Sequence, residues 1–306
     1  MLWIHYVVTY IAMASFGFVV LARFVRFKKM PLHLRWELYP VPHEGGSKAK
    51  YGGSYFEEVG WWAKPNRKSH LGVLKTMLPE MLFLVTVFKH NRALWWCSFP
   101  FHFGLYLLIG TIKLLVIDCV LGLVGINFSD FLIPLARGTF CAGWLLGSVG
   151  TIGLLTRRIL NPRLRPFTNH ANIFHLSLFL VFFVMTGLSF IAAEQSLEMI
   201  RLFLKNLITF RIDEPVGGSL LAVEIIFTVC LIAYIPMTGM AHFFLKWFTY
   251  HDVRWDDEPM GAGCSIEKKM IAQLKYPMPW SSYSDKSHPQ TWEDVAVKGV
   301  RHEHDE

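Results

Sequence analysis

Charge is what this sequence has least of. Asp, Glu, Lys and Arg make up 17% of its 306 residues, against about a quarter in a soluble globular domain. That shortage excludes a chain built as one or two water-soluble cores. Cysteine is scarce too. Cys97, Cys119, Cys141, Cys230 and Cys264 include no Cys-x-x-Cys spacing, and four of them lie inside apolar runs. A disulfide framework, or an iron–sulfur cluster ligated by this chain alone, is therefore excluded. A cysteine in such a run packs as a small apolar residue. No internal repeat is present. The first apolar segment has no Lys or Arg before Arg23 and no small-residue cleavage site. It is also too long for a signal h-region, so it reads as a retained first helix.

What is there instead is apolar surface, 53% of the residues, gathered into long runs. A bilayer core of about 30 Å needs about 20 apolar residues in a helix. The runs predict an all-α integral membrane protein with five transmembrane helices, over residues 2–27, 95–123, 131–155, 172–193 and 220–248. The formal net charge of +7 comes from basic residues beside these runs, such as Arg23, Arg26, Lys28 and Lys29, and Arg157, Arg158, Arg163 and Arg165. This is the positive-inside pattern, not a nucleic-acid surface. It puts the N-terminus outside and the C-terminus in the cytoplasm.

Four segments follow: a first helix over 1–28, a cytoplasmic loop over 29–93, a four-helix bundle over 94–250 and a cytoplasmic tail over 251–306. Within the loop, residues 71–88 are amphipathic and read as one interfacial helix. Residues 199–210 read as a second amphipathic helix, lying on the outer surface. In the tail, 265–274 fits a short helix with Ser265 as N-cap. The tail is too polar for a large core of its own and reads as a docking surface for a soluble subunit.

An ionisable side chain inside a membrane helix marks a functional site by default. His102, in helix two, and His242, in helix five, sit at matching depth in the cytoplasmic half. Small and aromatic neighbours surround both: Phe101, Phe103 and Gly104, and Gly239, Ala241 and Phe243. Two imidazoles so placed fit the axial ligands of one haem b. The same residues also fit two separate histidines, each hydrogen-bonded to its neighbours.

The stretch WWCSFPFHFGLYLL at 95–108 resembles helix two of the respiratory nitrate reductase gamma-subunit family, around a haem histidine. IAYIPMTGMAHFFLKWFTYHDVRWDDEP at 232–259 resembles that family's last helix. LRWELYPVPHE, YGGSYFEEVGWW, EKKMIAQLKYPMPW and TWEDVA are similar to one branch: the cytochrome b subunits of heterodisulfide reductase, of the sulfite-reductase-associated complex and of the transmembrane redox complex of sulfate reducers. The resemblance implies a haem b held by His102 and His242 in a prokaryotic inner membrane. It implies electron transfer in anaerobic respiration and sulfate reduction, between menaquinone and a cytoplasmic iron–sulfur subunit of heterodisulfide-reductase type. Other membrane subunits and periplasmic cytochrome c subunits would be further partners. The chain would be an electron-transfer subunit, not a catalyst on its own.

The family usually holds a second haem, and here the sequence departs. The corresponding positions read Thr111, Ile112, Lys113 and Leu114 in helix two, and Ala222, Val223 and Glu224 in helix five. One account relocates a second haem to His175, ahead of His170 and His5. Another makes Lys113 and Glu224 a buried pair serving a quinone head group or a proton path. A third lets Lys113 and Asp118 extend to water and leaves Glu224 a neutral acid. Arg92, Arg157 and Arg158 stand where guanidinium groups would meet haem propionates, and equally where positive-inside anchors belong. Two other readings remain: a haem-free or single-haem anchor for peripheral redox subunits, and a proton-conducting subunit using Lys113, Asp118 and Glu224.

Overall fold

A computed structural model describes residues 3–29, 70–192, 196–212, 214, 217–245, 262–278 and 290–298. The expectations for the aromatic-rich loop, the end of helix five and most of the tail fall outside these residues. Among them lie ten α-helices: α1 (Ile4–Lys29), α2 (His70–Phe83), α3 (Val85–His90), α4 (Arg92–Leu123), α5 (Ser129–Leu160), α6 (His170–Ala192), α7 (Ser196–Thr209), α8 (Ser219–Tyr234), α9 (Ser265–Leu274) and α10 (Trp292–Lys298). There is no sheet among the described residues, only an isolated bridge between Pro277 and Thr291. Five segments are long and apolar enough to cross a membrane: α1, α4, α5, α6 and Ser219–Met237. The chain divides into two compact units, Met1–Val20 with Met77–Met240, and Leu21–Thr76 with Ala241–Glu306.

The first unit is the bundle, and glycine sets its spacing. Lipid is as apolar as Leu, so helices in a membrane gain little from hiding Leu against Leu and approach instead through small residues. A Cβ added at Gly104 of α4 would lie 2.7 Å from the carbonyl oxygen of Gly143 on α5, and one at Gly150 would lie 2.6 Å from Phe101 Cα. Gly147, on the same face of α5, takes the ring of Phe183 from α6. Trp144 crosses the second groove and donates its indole N–H to the Phe183 carbonyl at 2.8 Å. Gly125, with φ 81° in the left-handed region, turns the chain from α4 into α5 at no steric cost.

The amphipathic helix expected at 199–210 is α7, and its apolar face packs against the bundle. Leu197, Phe203 and Leu204 are buried in one cluster with Tyr6, Leu115 and Leu221. Tyr10 donates to the Leu207 carbonyl at 2.6 Å. The expectation that Asp118 extends to water is overturned: it is buried and takes the Arg201 guanidinium of α7, while Ser129 Oγ donates to its other oxygen at 2.7 Å. A carboxylate this deep needs a partner, and α7 brings one from 83 residues away. Burial opposes the Arg201 charge, but the hydrogen bond and attraction of Asp118, helped by Glu198, win and raise the guanidinium pKa above its ordinary value.

Two spans are interrupted where the sequence suggested continuity. The single helix expected at 71–88 is two, α2 and α3, meeting at Leu84 with φ 51°. Glu80 holds the bend by accepting from Thr86 N–H at 2.8 Å and Oγ1 at 2.9 Å. Trp95 and Tyr106 of α4 donate to the carbonyls of Phe83 and Met81, so this corner lies along α4. Helix five, expected to run to 248, ends as an α-helix at Tyr234. A 3-10 turn over Ile235–Met237 follows, then an extended Thr238, then a second turn over Gly239–Ala241. Pro236 has no N–H for the carbonyl four residues earlier, which forces the stop. In the second unit, α9 has the expected bounds, but its cap is Cys264, whose Sγ accepts the Glu267 N–H at 3.3 Å.

Candidate haem site

His102 sits on the α4 face one turn beyond Ser98. Its Nδ1 lies 2.7 Å from the Ser98 carbonyl oxygen and 3.3 Å from Ser98 Oγ. A carbonyl only accepts, so Nδ1 carries the ring proton and the lone pair of the neutral ring belongs to Nε2. This is the tether a metal-binding imidazole needs, because it fixes both tautomer and ring direction. Aromatic rings flank it. Phe101 stands edge-on to the His102 ring at 5.1 Å and edge-on to Phe179 of α6 at 5.0 Å. Trp95, Phe99 and Phe103 stack along the neighbouring row of α4. Phe101, Phe179, Phe183 and Leu231 form a buried apolar cluster that keeps water from this depth of the bundle.

His242 belongs to the second unit. It is the first residue after the Gly239–Ala241 turn and is exposed, whereas Ala241 is fully buried. Thr238 shapes the approach: its Oγ1 donates to the Ile235 carbonyl at 2.8 Å and accepts the Met240 N–H at 3.0 Å. The α-helix thus stops at Tyr234, before His242 is reached.

The other candidate residues are placed as follows. His175 Nε2 is 3.1 Å from Tyr234 Oη, so a tyrosine holds the nitrogen that a second haem would use. Arg92 lies over the Phe88 ring at 3.5 Å, a cation–π contact. Arg157 reaches Asn91 Oδ1 at 3.5 Å, and Arg158 is half-buried in the last turn of α5. Lys113 is exposed, while Glu224 is buried in α8. No ion pair joins Lys113 to Glu224 among the described residues.

Around Thr111, in the half of the bundle beside α7, side chains fill the interior. Thr111 Oγ1 is bonded to the Leu107 carbonyl at 3.0 Å and to Thr139 Oγ1 at 2.9 Å. Leu115, Leu221 and Ile225 close the space as core. Among the described residues, no group of three or more His, Cys, Asp or Glu could hold a bare metal ion. Sequence reasoning missed Ser98, whose carbonyl tethers His102; its place one helical turn before the histidine was the available signal.

A profile described as the nitrate reductase gamma subunit matches residues 85–255, more than half of the chain, from α3 past His242. No curated protein and no solved structure matches. The matched family consists of membrane cytochrome b subunits of multi-subunit redox complexes, with haem b as cofactor. Five spans, a tethered imidazole and a profile match that takes in both histidine motifs agree: the chain is a multi-pass membrane protein belonging to the nitrate reductase gamma subunit family.

Proposed function

We propose that the chain carries one haem b between His102 and His242 and passes electrons between menaquinol in the bilayer and a cytoplasmic iron–sulfur subunit. The observation that carries this reading is the Nδ1–H tether of His102 to the Ser98 carbonyl. When bound, haem supplies reversible one-electron chemistry, which the protein tunes by ligation and burial. Ser98 holds the imidazole in its ligating tautomer. Phe101 and Phe179 exclude water beside it. Arg157 and Arg158, in the last turn of α5, are the guanidinium groups available to a propionate, since Arg92 is stacked on Phe88.

A single haem is favoured by the filled space around Thr111, Leu115 and Leu221 and by the Tyr234 partner of His175. Lys113 and Glu224 are not assigned to quinone, because one is exposed and the other buried. The partner subunit is of heterodisulfide-reductase type, in an inner-membrane complex of a sulfate-reducing prokaryote. Its dock is the cytoplasmic loop and the tail, and further membrane and cytochrome c subunits belong to the same assembly.

The test is haem per polypeptide by pyridine haemochrome, with a reduced-minus-oxidised spectrum of the purified protein. One haem with a b-type band is expected. None, or two, overturns the reading.

A further inference from the structure

The spans of the bundle differ in length. α4 and α5 have 32 residues each, about 48 Å of helix, while α6 has 23 residues and the span that begins with α8 has 19. A bilayer core of about 30 Å takes about 20 residues. The shorter spans show where the surplus of α4 and α5 lies. Phe190, near the end of α6, has its ring 4.8 Å from that of Phe140 on α5. Leu221 and Ile225, in the first turns of α8, share a buried cluster with Phe140 and Ala136. On that side α6 and α8 thus end beside Arg137 of α5. The 2.9 Å contact of Thr111 Oγ1 with Thr139 Oγ1 sets α4 against α5 and brings Lys113 to the same depth.

Lys113 and Arg137 are both exposed. A charge exposed in hydrocarbon is expensive, and one at the bilayer surface is not. Lys113 is 21 residues from Arg92 along α4, and Arg137 is 20 from Arg157 along α5. Either stretch is about 30 Å of helix, the thickness of the hydrocarbon. These four basic residues mark its two surfaces. Beyond Lys113 and Arg137, α4 runs on to Leu123 and α5 reaches back to Ser129. That hairpin extends about 12–15 Å past the hydrocarbon. α7 packs against it through Asp118 and Arg201, with Lys205 exposed.

The tip of the hairpin is not made for water. Residues 119–129 contain no Asp, Glu, Lys or Arg. Val124 is 67% exposed, Phe128 56% and Phe131 65%, with Leu123 and Ile126 exposed beside them. A contiguous exposed apolar patch marks a protein contact, and by its depth lipid does not reach this one. On this side of the spans, only residues 1–2, 193–195, 213 and 215–216 lie outside the described ones. They are too few to cover five large side chains. The family works in multi-subunit complexes, which supplies the other polypeptide.

We propose that the α4–α5 turn is a dock outside the bilayer for another subunit of the redox complex, which meets it with an apolar, uncharged patch of an extramembrane domain. The dock lies at the end of the bundle opposite Arg157 and Arg158, so its occupant is not the iron–sulfur subunit of the proposed function. It rests on the membrane spans and the family, not on the haem.

The test is labelling with a membrane-impermeant maleimide at Val124→Cys and Phe128→Cys. Leu145→Cys, exposed between the depths of Arg137 and Arg157, is the lipid control, and the label taken by the parent chain is subtracted. Two preparations are compared: the purified full chain alone in phosphatidylcholine nanodiscs, and open membrane fragments of the native cells, where the complex is intact. Positions 124 and 128 are expected to label in the chain alone and to lose their labelling in the intact complex, while 145 labels in neither. Val124→Asp combined with Phe131→Asp is expected to restore labelling at 128 in the native membranes with haem per polypeptide unchanged. The dock and the haem reading are thereby scored separately.

Absence of labelling at 124 and 128 in the chain alone puts the turn in lipid, or under a second copy if a disulfide joins two chains at 124, and overturns the proposal. Equal labelling in both preparations leaves the turn uncovered and overturns it as well. So does protection at 128 that survives the two aspartates.

Discussion

The two halves of the bundle solve burial in opposite ways. Around His102 the half is aromatic and close-fitted, with Phe101 and Phe183 set against Gly150 and Gly147 of α5 and Phe179 edge-on to Phe101. One imidazole is held ready by a backbone carbonyl. Beside α7 the half is closed by polar pairs: Asp118 with Arg201 and Ser129, and Asn206 with Tyr6 and Glu214. The contrast separates a half arranged around a tethered imidazole from a half arranged around polar pairs. The first half leaves ligand chemistry available; the second spends its polar side chains on one another.

The largest effect that tests this contrast is all-or-none. His102→Ala or His242→Ala is expected to remove the haem while the α7 half stays folded, read by haem content beside circular dichroism. Full haem in either variant breaks the ligand assignment. Next comes Arg201→Ala, which strands the buried Asp118 carboxylate. A loss of about 3 kcal/mol is expected, at the low end for a buried pair because a third of the Arg201 side chain is exposed. Denaturant unfolding in detergent measures it, and Asp118→Asn with Arg201→Ala together should recover part of the loss. Haem content should stay constant throughout; a fall in haem would show that the halves are not separable.

Smaller effects sharpen the picture. Gly150→Ala drives a methyl into the Phe101 backbone and should cost about 1–3 kcal/mol, as overpacking does. Because Phe101 adjoins His102, it should also shift the haem absorption band. Tyr106→Phe removes a hydrogen bond to the Met81 carbonyl and should cost about 1 kcal/mol or less. Its readout is faster proteolysis near Leu84 with unchanged haem.

The five spans were legible because length and hydropathy alone decide them, and the two histidine motifs were legible because an imidazole in such a run stands out. The bounds of α9 were legible too. The departures have physical causes that a local reading does not contain. Leu84 takes a left-handed backbone with no glycine to announce it, held by Glu80 and Thr86. Pro236 did announce a break, yet the apolar run continues through it and hides the stop at Tyr234. The pairing of Asp118 with Arg201 joins residues far apart in sequence, and hydropathy carries no information about partners. The amphipathic face of α7 was visible, but nothing in its periodicity says whether lipid or protein covers it.

The long reach from Asp118 to Arg201 also imposes an order on biosynthesis. The ribosome delivers α4 with its carboxylate 83 residues before the guanidinium that neutralises it. Two further spans, α5 and α6, are threaded in the interval. During that wait the insertion machinery must accept a charged fourth helix on the strength of its apolar remainder, since a charge near the middle of a span costs about 3 kcal/mol and less toward its end. The arrival of α7 is then the step that neutralises the waiting carboxylate.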